Sequence, residues 1–181
     1  RRGRGRSLVV CSGGDGTLNE VVSGLMTIEE GKRPVLGYIP SGSTNDYASS
    51  IGISKNMKKA ALDAVSGGTT AVDVGRFGED RYFVYVAAFG AFTEVSYSTP
   101  QEAKNLLGHQ AYMLEAVKRV TNLKAYRMKF EWEDKVLEDE FIIGMITNTI
   151  SIGGFKGLVG LDVALDDGEF EVLLVRKPRT P

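Results

Sequence analysis

Leu8-Val9-Val10-Cys11-Ser12-Gly13-Gly14-Asp15-Gly16-Thr17-Leu18-Asn19-Glu20-Val21-Val22-Ser23-Gly24-Leu25 is the stretch whose reading decides the fold. Leu8–Cys11 is a short apolar run with two adjacent β-branched residues, the pattern of a buried strand. Ser12–Thr17 is a glycine loop. Leu18, Val21, Val22 and Leu25 then recur at i, i+3, i+4 and i+7, one face of a helix. A strand, a glycine turn and an amphipathic helix in that order begin a parallel βαβ unit.

The downstream sequence completes it. Gly31 and Pro34 end the helical region, and Val35–Ile39 predicts a second strand, closed by Pro40-Ser41-Gly42-Ser43-Thr44. Asn45–Ile51 predicts a short helix. Lys55–Val65 predicts another, with Ala61, Leu62 and Val65 inward, ending at Gly67-Gly68. Beyond this point the texture turns β-branched and aromatic. Thr70–Gly75 and Tyr82–Phe89 predict strands around a turn at Gly78-Glu79-Asp80. Tyr126–Trp132, Val136–Thr147, Val159–Leu165 and Glu169–Val175 predict further strands, after helices over Gln101–Leu107 and Gln110–Val120. The expected fold class is α/β: a parallel α/β lobe over 1–67, followed by a β-rich, sandwich-like lobe over 68–181.

Composition excludes several classes. The 181 residues carry a net charge of −1, which leaves no global electrostatic case for nucleic acid. The single cysteine allows no internal disulfide. The longest apolar stretch, Tyr82–Phe92, is interrupted by Gly90 and falls well short of the ~20 residues of a membrane span. These features predict a soluble, cytoplasmic protein. Glycine is the outlier, at 22 of 181 residues against an average near ~7%. The Arg1–Arg6 run, alternating with Gly3 and Gly5, fits a flexible tail.

The glycines concentrate in the two loops. At the start of a helix, backbone N–H groups point outward and the dipole favours an anion, and glycines let a phosphate approach them. Gly13-Gly14-x-Gly16 lacks the spacing of a dinucleotide fingerprint and the Lys of a Walker loop. Asp15 sharpens the reading. A carboxylate among phosphate-facing amides repels phosphate unless a divalent cation intervenes or it takes a proton, and both occur in phosphoryl transfer. A local role fits too, with Asp15 closing an Asx-turn and Thr17 capping the helix. The second loop follows the next strand, so both meet at one carboxyl edge of the sheet, where open α/β sheets bind ligands.

Taken together, Gly13-Gly14-Asp15-Gly16-Thr17, Asn19-Glu20 and Pro40-Ser41-Gly42-Ser43-Thr44-Asn45-Asp46-Tyr47-Ala48 resemble the catalytic domain of the diacylglycerol kinase and sphingosine kinase superfamily. The bacterial soluble diacylglycerol kinases are the nearest likeness. The resemblance continues through Val72-Asp73-Val74-Gly75-Arg76, Tyr82-Phe83, Gly108-His109-Gln110-Ala111-Tyr112 and Leu165-Asp166-Asp167-Gly168. It implies a lipid kinase that moves the γ-phosphoryl group of ATP to a lipid hydroxyl, diacylglycerol giving phosphatidic acid, with Mg²⁺ bridging phosphates. It implies an ATP segment of Gly13, Gly14, Asp15, Gly16, Thr17, Leu18, Asn19 and Glu20, together with Ser43. Asp15 and Asp46 match catalytic or metal-organising acidic positions. A magnesium site is implied at Asp167, with backbone oxygens of Ala164 and Glu169, a donor set suited to a hard cation; a plain hairpin turn also accounts for Asp166-Asp167-Gly168.

The resemblance further implies peripheral contact with the inner membrane surface and allows a homodimer. Where the family carries an earlier strand and a later catalytic Glu, this sequence has neither, so it reads as a core truncated at both ends. Such a core is expected to bind ATP weakly and transfer no phosphate by itself. The alternatives are another kinase of the superfamily, of NAD or sphingosine type, and a non-catalytic nucleotide- or metal-binding fragment.

Other residues receive plain readings. His109, the one histidine, excludes His-based triads and multi-His metal sites. Cys11 is expected to pack inertly in its strand. Trp132 and the surrounding acidic residues fit strands about a solvated turn, and Asp73 is expected to pair with Arg76.

Overall fold

The computed structural model describes residues 8–91, 124–152, 155–156 and 163–177. The chain divides into two compact units, Arg1–Ala87 with Thr147–Glu171, and Ala88–Ile146 with Val172–Pro181.

In the first unit, β1 (Leu8–Gly13) pairs in parallel with β2 (Val35–Pro40), from Leu8 opposite Val35 to Gly13 opposite Pro40. The crossover between them is α1 (Asp15–Met26), followed by a 3-10 turn at Glu30–Lys32. Then come α2 (Asp46–Ser50) and α3 (Met57–Ser66). The parallel lobe expected from the glycine-loop stretch is therefore present. Leu18 and Val22 of α1 are buried in a core shared with Cys11, Tyr38, Tyr47, Ala48 and Val84. Burial pushes the Cys11 thiol above its ordinary pKa, in keeping with inert packing.

Two sequence expectations are corrected here. The first strand is buried on one face only: Val9 and Cys11 turn inward while Leu8 and Val10 are exposed, because strand side chains alternate. Helix α3 is rotated from the predicted face. Ala60 is buried, whereas Leu62 and Val65 are 65% and 61% exposed. The strand beneath explains this: a Cβ on Gly37 would lie 2.7 Å from the Ala64 carbonyl oxygen, so α3 rides close on β2 with its alanines. A face of small residues permits an approach that leucine and valine would block.

β3 (Gly75–Phe77) and β4 (Arg81–Phe83) form an antiparallel hairpin about Gly78, whose φ of 74° suits glycine. Residues 70–74 are irregular rather than strand. Arg76 donates to the Glu79 carbonyl across this turn, and Asp73 accepts from the Gly168 N–H at 2.7 Å, so the expected Asp73–Arg76 pair is replaced by two separate contacts. β8 (Ser151–Ile152) and β9 (Phe155–Lys156) make a further short antiparallel pair.

The second unit is built on β7 (Lys135–Thr147), which lies between β10 (Glu171–Arg176) and β5 (Val86–Gly90) and also pairs with β6 (Tyr126–Trp132). The β6–β7 hairpin turns at Glu133-Asp134, its register running from Tyr126 opposite Phe141 to Trp132 opposite Lys135. Phe130 meets Phe141 edge-on at 5.5 Å, and Phe89 meets Tyr126 at 5.9 Å. The α/β class with a parallel pair and a β-rich remainder is as expected. The expected helices at 101–107 and 110–120, His109 and the Arg1–Arg6 run lie outside the described residues. The described part of the expected 159–165 strand, residues 163–165, is irregular.

Candidate functional site

Both glycine loops leave the carboxyl ends of parallel strands and come together. The Gly13 carbonyl accepts from the Ser41 N–H at 2.9 Å and from the Tyr38 hydroxyl at 3.1 Å. A Cβ on Gly42 would fall 2.4 Å from Gly14 Cα, and one on Gly14 would fall 3.2 Å from Gly42 Cα. These glycines let one loop backbone lie against the other. Asn45 fixes the second loop in the left-handed region (φ 53°, ψ 50°), accepting from the Gly42 N–H at 2.9 Å and donating to the Gly42 carbonyl at 2.7 Å. Asn tolerates that conformation better than most residues.

Because the Asn45 side chain turns back on Gly42, α2 is capped from elsewhere. Asp15 supplies the cap: its carboxylate accepts from the N–H groups of Asp46 and Tyr47, each at 3.1 Å. Asp15 therefore does not close a turn within its own loop; its carboxylate is engaged by the amides of α2. It ties the start of α1 to the start of α2. Burial raises its pKa above 3.8, opposed by the Tyr47 and Asp46 N–H bonds and reinforced by the Asp46 charge. The Tyr47 hydroxyl, also buried, is pushed up to about 12.

Asp46 is only 4% exposed. Its carboxylate accepts from the Tyr85 hydroxyl at 2.8 Å and the Ser151 hydroxyl at 2.7 Å. The sequence reading missed both donors, along with the run Thr147-Asn148-Thr149-Ile150-Ser151 that holds them. Thr147, Asn148, Thr149 and Ser151 are buried polar residues. The signal was legible: a polar run continuing directly from the apolar strand Phe141–Ile146 asks for buried hydrogen-bond partners.

The remaining expected ATP residues divide. Gly16, Thr17, Glu20 and Ser43 are exposed, beside Ser12, Ser41 and Thr44, so the loops present a shelf of hydroxyls next to the first turn of α1. Gly14 is the N-cap of α1 and offers no side-chain cap, and a Cβ on Gly16 would meet no atom of the described residues within 4 Å. Gly13 packs on the Thr17 side chain. Leu18 and Asn19 are used internally: Leu18 in the core, and the Asn19 amide on the Tyr82 carbonyl (3.0 Å) and the Val84 N–H (3.3 Å).

Ala164, Asp167 and Glu169 share one exposed turn, and Asp167 accepts from the Glu169 N–H at 3.0 Å. Among the described residues no cluster of three or more His, Cys, Asp or Glu side chains could hold a metal ion, so a cation here would rest on one carboxylate and backbone carbonyls. The surroundings fit a cation. Among the described residues Glu171 Oε2 is buried without a hydrogen-bond partner, and its pKa is raised by burial and by the charges of Asp167 and Glu169.

Two glycine loops locked together by an aspartate, at the ends of parallel strands, prompt comparison with known proteins. Residues 2–77 match the family described as the diacylglycerol kinase catalytic domain. Over these residues the chain is similar to that family. It is 36% identical over 171 residues to the diacylglycerol kinase of Bacillus subtilis (strain 168), covering 94% of this chain and 55% of that protein. It is 38% identical over 170 residues to the diacylglycerol kinase of Staphylococcus epidermidis (strain ATCC 12228 / FDA PCI 1200), covering 94% and 52%. A crystal structure of a diacylglycerol kinase from Bacillus anthracis str. Sterne superposes with a TM-score of 0.72 at 28% identity, over 94% of this chain and 54% of that one. The chain thus spans about half the length of the curated relatives it matches. The alignments to these relatives extend over both the loops and the β-rich remainder. No helix among the described residues is long and apolar enough to cross a membrane.

Proposed function

We propose that this chain forms the core of an enzyme transferring the γ-phosphoryl group of ATP to the free hydroxyl of diacylglycerol, giving phosphatidic acid. The observation that carries the reading is the Asp15 bridge between the two loops, because it places two carboxylates beside an uncapped helix N-terminus and a hydroxyl shelf. The N–H groups at the start of α1 and the hydroxyls of Thr17 and Ser43 would hold phosphate oxygens of MgATP. Asp15 keeps the two loops in register, and Asp46 would organise the metal or water at the transferring group. Positioning of this kind supplies most of the rate in phosphoryl transfer.

The nucleotide role falls to residues 1–67 and the lipid role to 68–181, working at the inner membrane surface where the acceptor resides. A second Mg²⁺ fits the turn at Asp167, with the carbonyls of Ala164 and Glu169; when bound it would supply charge neutralisation among Asp167, Glu169 and Glu171. The test is an acceptor panel run with the whole protein and radiolabelled ATP: diacylglycerol in mixed micelles, sphingosine and NAD. Label in phosphatidic acid supports the proposal. Label in NADP or sphingosine phosphate alone transfers the site to another kinase of the superfamily, and ATP binding without transfer to any acceptor defeats the kinase reading.

A further inference from the structure

Asp46 lies inside the protein, and its setting assigns a job to residues outside both glycine loops. An ionised carboxylate only accepts hydrogen bonds, so its orientation is set by the donors that reach it. Ser151 donates to Oδ1 and Tyr85 to Oδ2, which fixes the carboxylate plane. Both donors are themselves pinned. The Tyr85 carbonyl accepts from the Thr147 hydroxyl at 2.9 Å and from the Asn148 N–H at 3.2 Å. The Thr149 hydroxyl accepts from the Ser151 N–H at 3.3 Å and donates to the Ser151 carbonyl at 3.0 Å. The Thr149 hydroxyl also lies against that of Ser50, which donates to the Asp46 carbonyl at 3.0 Å and accepts from the Ile150 N–H at 3.3 Å. The run Thr147–Ser151 therefore reaches the Asp46 carboxylate directly through the Ser151 hydroxyl, and it holds Tyr85 and Ser50, whose hydroxyls reach the second carboxylate oxygen and the Asp46 carbonyl.

Packing alone does not call for this arrangement. A buried hydroxyl pair on a carboxylate adds little stability over apolar residues of the same shape, while it specifies one orientation. We propose that Ser151 and Tyr85 are positioning residues that hold the Asp46 carboxylate in the orientation phosphoryl transfer requires. The proposal rests on the reading that Asp46 serves that reaction.

The experiment measures kcat and KM for ATP, with diacylglycerol as acceptor, in the whole protein and in Ser151→Ala, Tyr85→Phe, Asp46→Asn and Ser151→Ala/Asp46→Asn. Rates are normalised to the ATP-binding fraction found by calorimetry, so that misfolded protein does not register as slow chemistry. Ser151→Ala and Tyr85→Phe should each lower kcat about 10-fold, the size expected for a hydrogen bond to a charged group, with KM for ATP within about twofold of wild type. The double variant should be no slower than Asp46→Asn alone, since groups acting as a unit are not additive. Wild-type kcat in both single variants, with Asp46→Asn slow, would overturn the proposal; so would losses that multiply in the double variant. If Ser151→Ala does not fold, Tyr85→Phe, which removes only an oxygen, decides on the same criteria with its own Asp46→Asn pair. A wild-type rate in Asp46→Asn would instead remove Asp46 from the mechanism and the positioning role with it.

Discussion

Gly16→Ala separates what the glycines do for the protein from what they do for a ligand. Gly16 lies in the first turn of α1, and an added Cβ there meets no atom of the described residues within 4 Å. Replacing a helical glycine by alanine restricts the unfolded chain and stabilises by about 0.5–1 kcal/mol. For a chain of this size that is about 1–4 °C in Tm. If phosphate rests on the N–H groups of this turn, the same methyl group stands in its way. Loss of one charge-assisted hydrogen bond, about 1.5–3 kcal/mol, weakens MgATP binding roughly 10- to 100-fold. The two glycines at the loop contact should behave oppositely. At Gly42 the new Cβ falls 2.4 Å from Gly14 Cα, so Gly42→Ala must push the loops apart and destabilise by about 1–3 kcal/mol. Thermal melts and calorimetric titration with MgATP on wild type, Gly16→Ala and Gly42→Ala measure both quantities. A Gly16→Ala protein that melts higher yet binds MgATP as wild type does would refute the placement of phosphate on α1. One that melts several degrees lower would refute the open space around Gly16.

Asn45→Ala should lower stability by about 2 kcal/mol, since it removes two bonds to Gly42 and leaves alanine in the left-handed region; a melt within a degree of wild type would contradict the lock. Leu62→Ser should change stability by less than about 0.5 kcal/mol because the side chain is exposed, whereas Gly37→Ala should cost about 1–3 kcal/mol against the Ala64 carbonyl; urea titrations of the pair check the rotated face of α3. Asp15 has a raised pKa in the folded protein, so its contribution to stability is fully present below the unfolded value near 3.8 and is lost as pH rises through the folded one. Wild type should therefore gain stability relative to Asp15→Asn on acidification through that window. A difference in melting temperature that moves the other way would contradict the burial of Asp15.

The sequence made the parallel lobe legible because its signals are local. A β-branched run, a glycine turn and a 3.6-residue apolar period lie within one stretch, and the structure orders them as β1, the loop and α1. The rotation of α3 was hidden because its apolar and small residues compete for the same face, and only the close approach of Gly37 selects Ala60 and Ala64. The site was legible at the level of loops, not of bonds. Asp15 was singled out for its charge, but its partners are backbone groups of α2, and no local pattern around residue 15 predicts a cap at residue 46. The polar run after Phe141–Ile146 signals buried hydrogen bonding, but nothing local names Asp46 as its partner, because Ser151 and Tyr85 reach it from far along the chain. The turn at Asp167 reads alike as a hairpin or a cation site, because both use the same Asp-Asp-Gly chemistry.

The most direct test of the account compares phosphate transfer from radiolabelled ATP to diacylglycerol in mixed micelles by the whole protein and by its Asp15→Asn variant. Asparagine keeps the size of the side chain, but its amide sets an N–H donor against one of the two N–H groups that Asp15 accepts. The account predicts label in phosphatidic acid with wild type and a fall of at least ~10²-fold in the variant, which still binds ATP in a folded state. Equal rates in the two proteins, or no labelled phosphatidic acid from wild type, would contradict it.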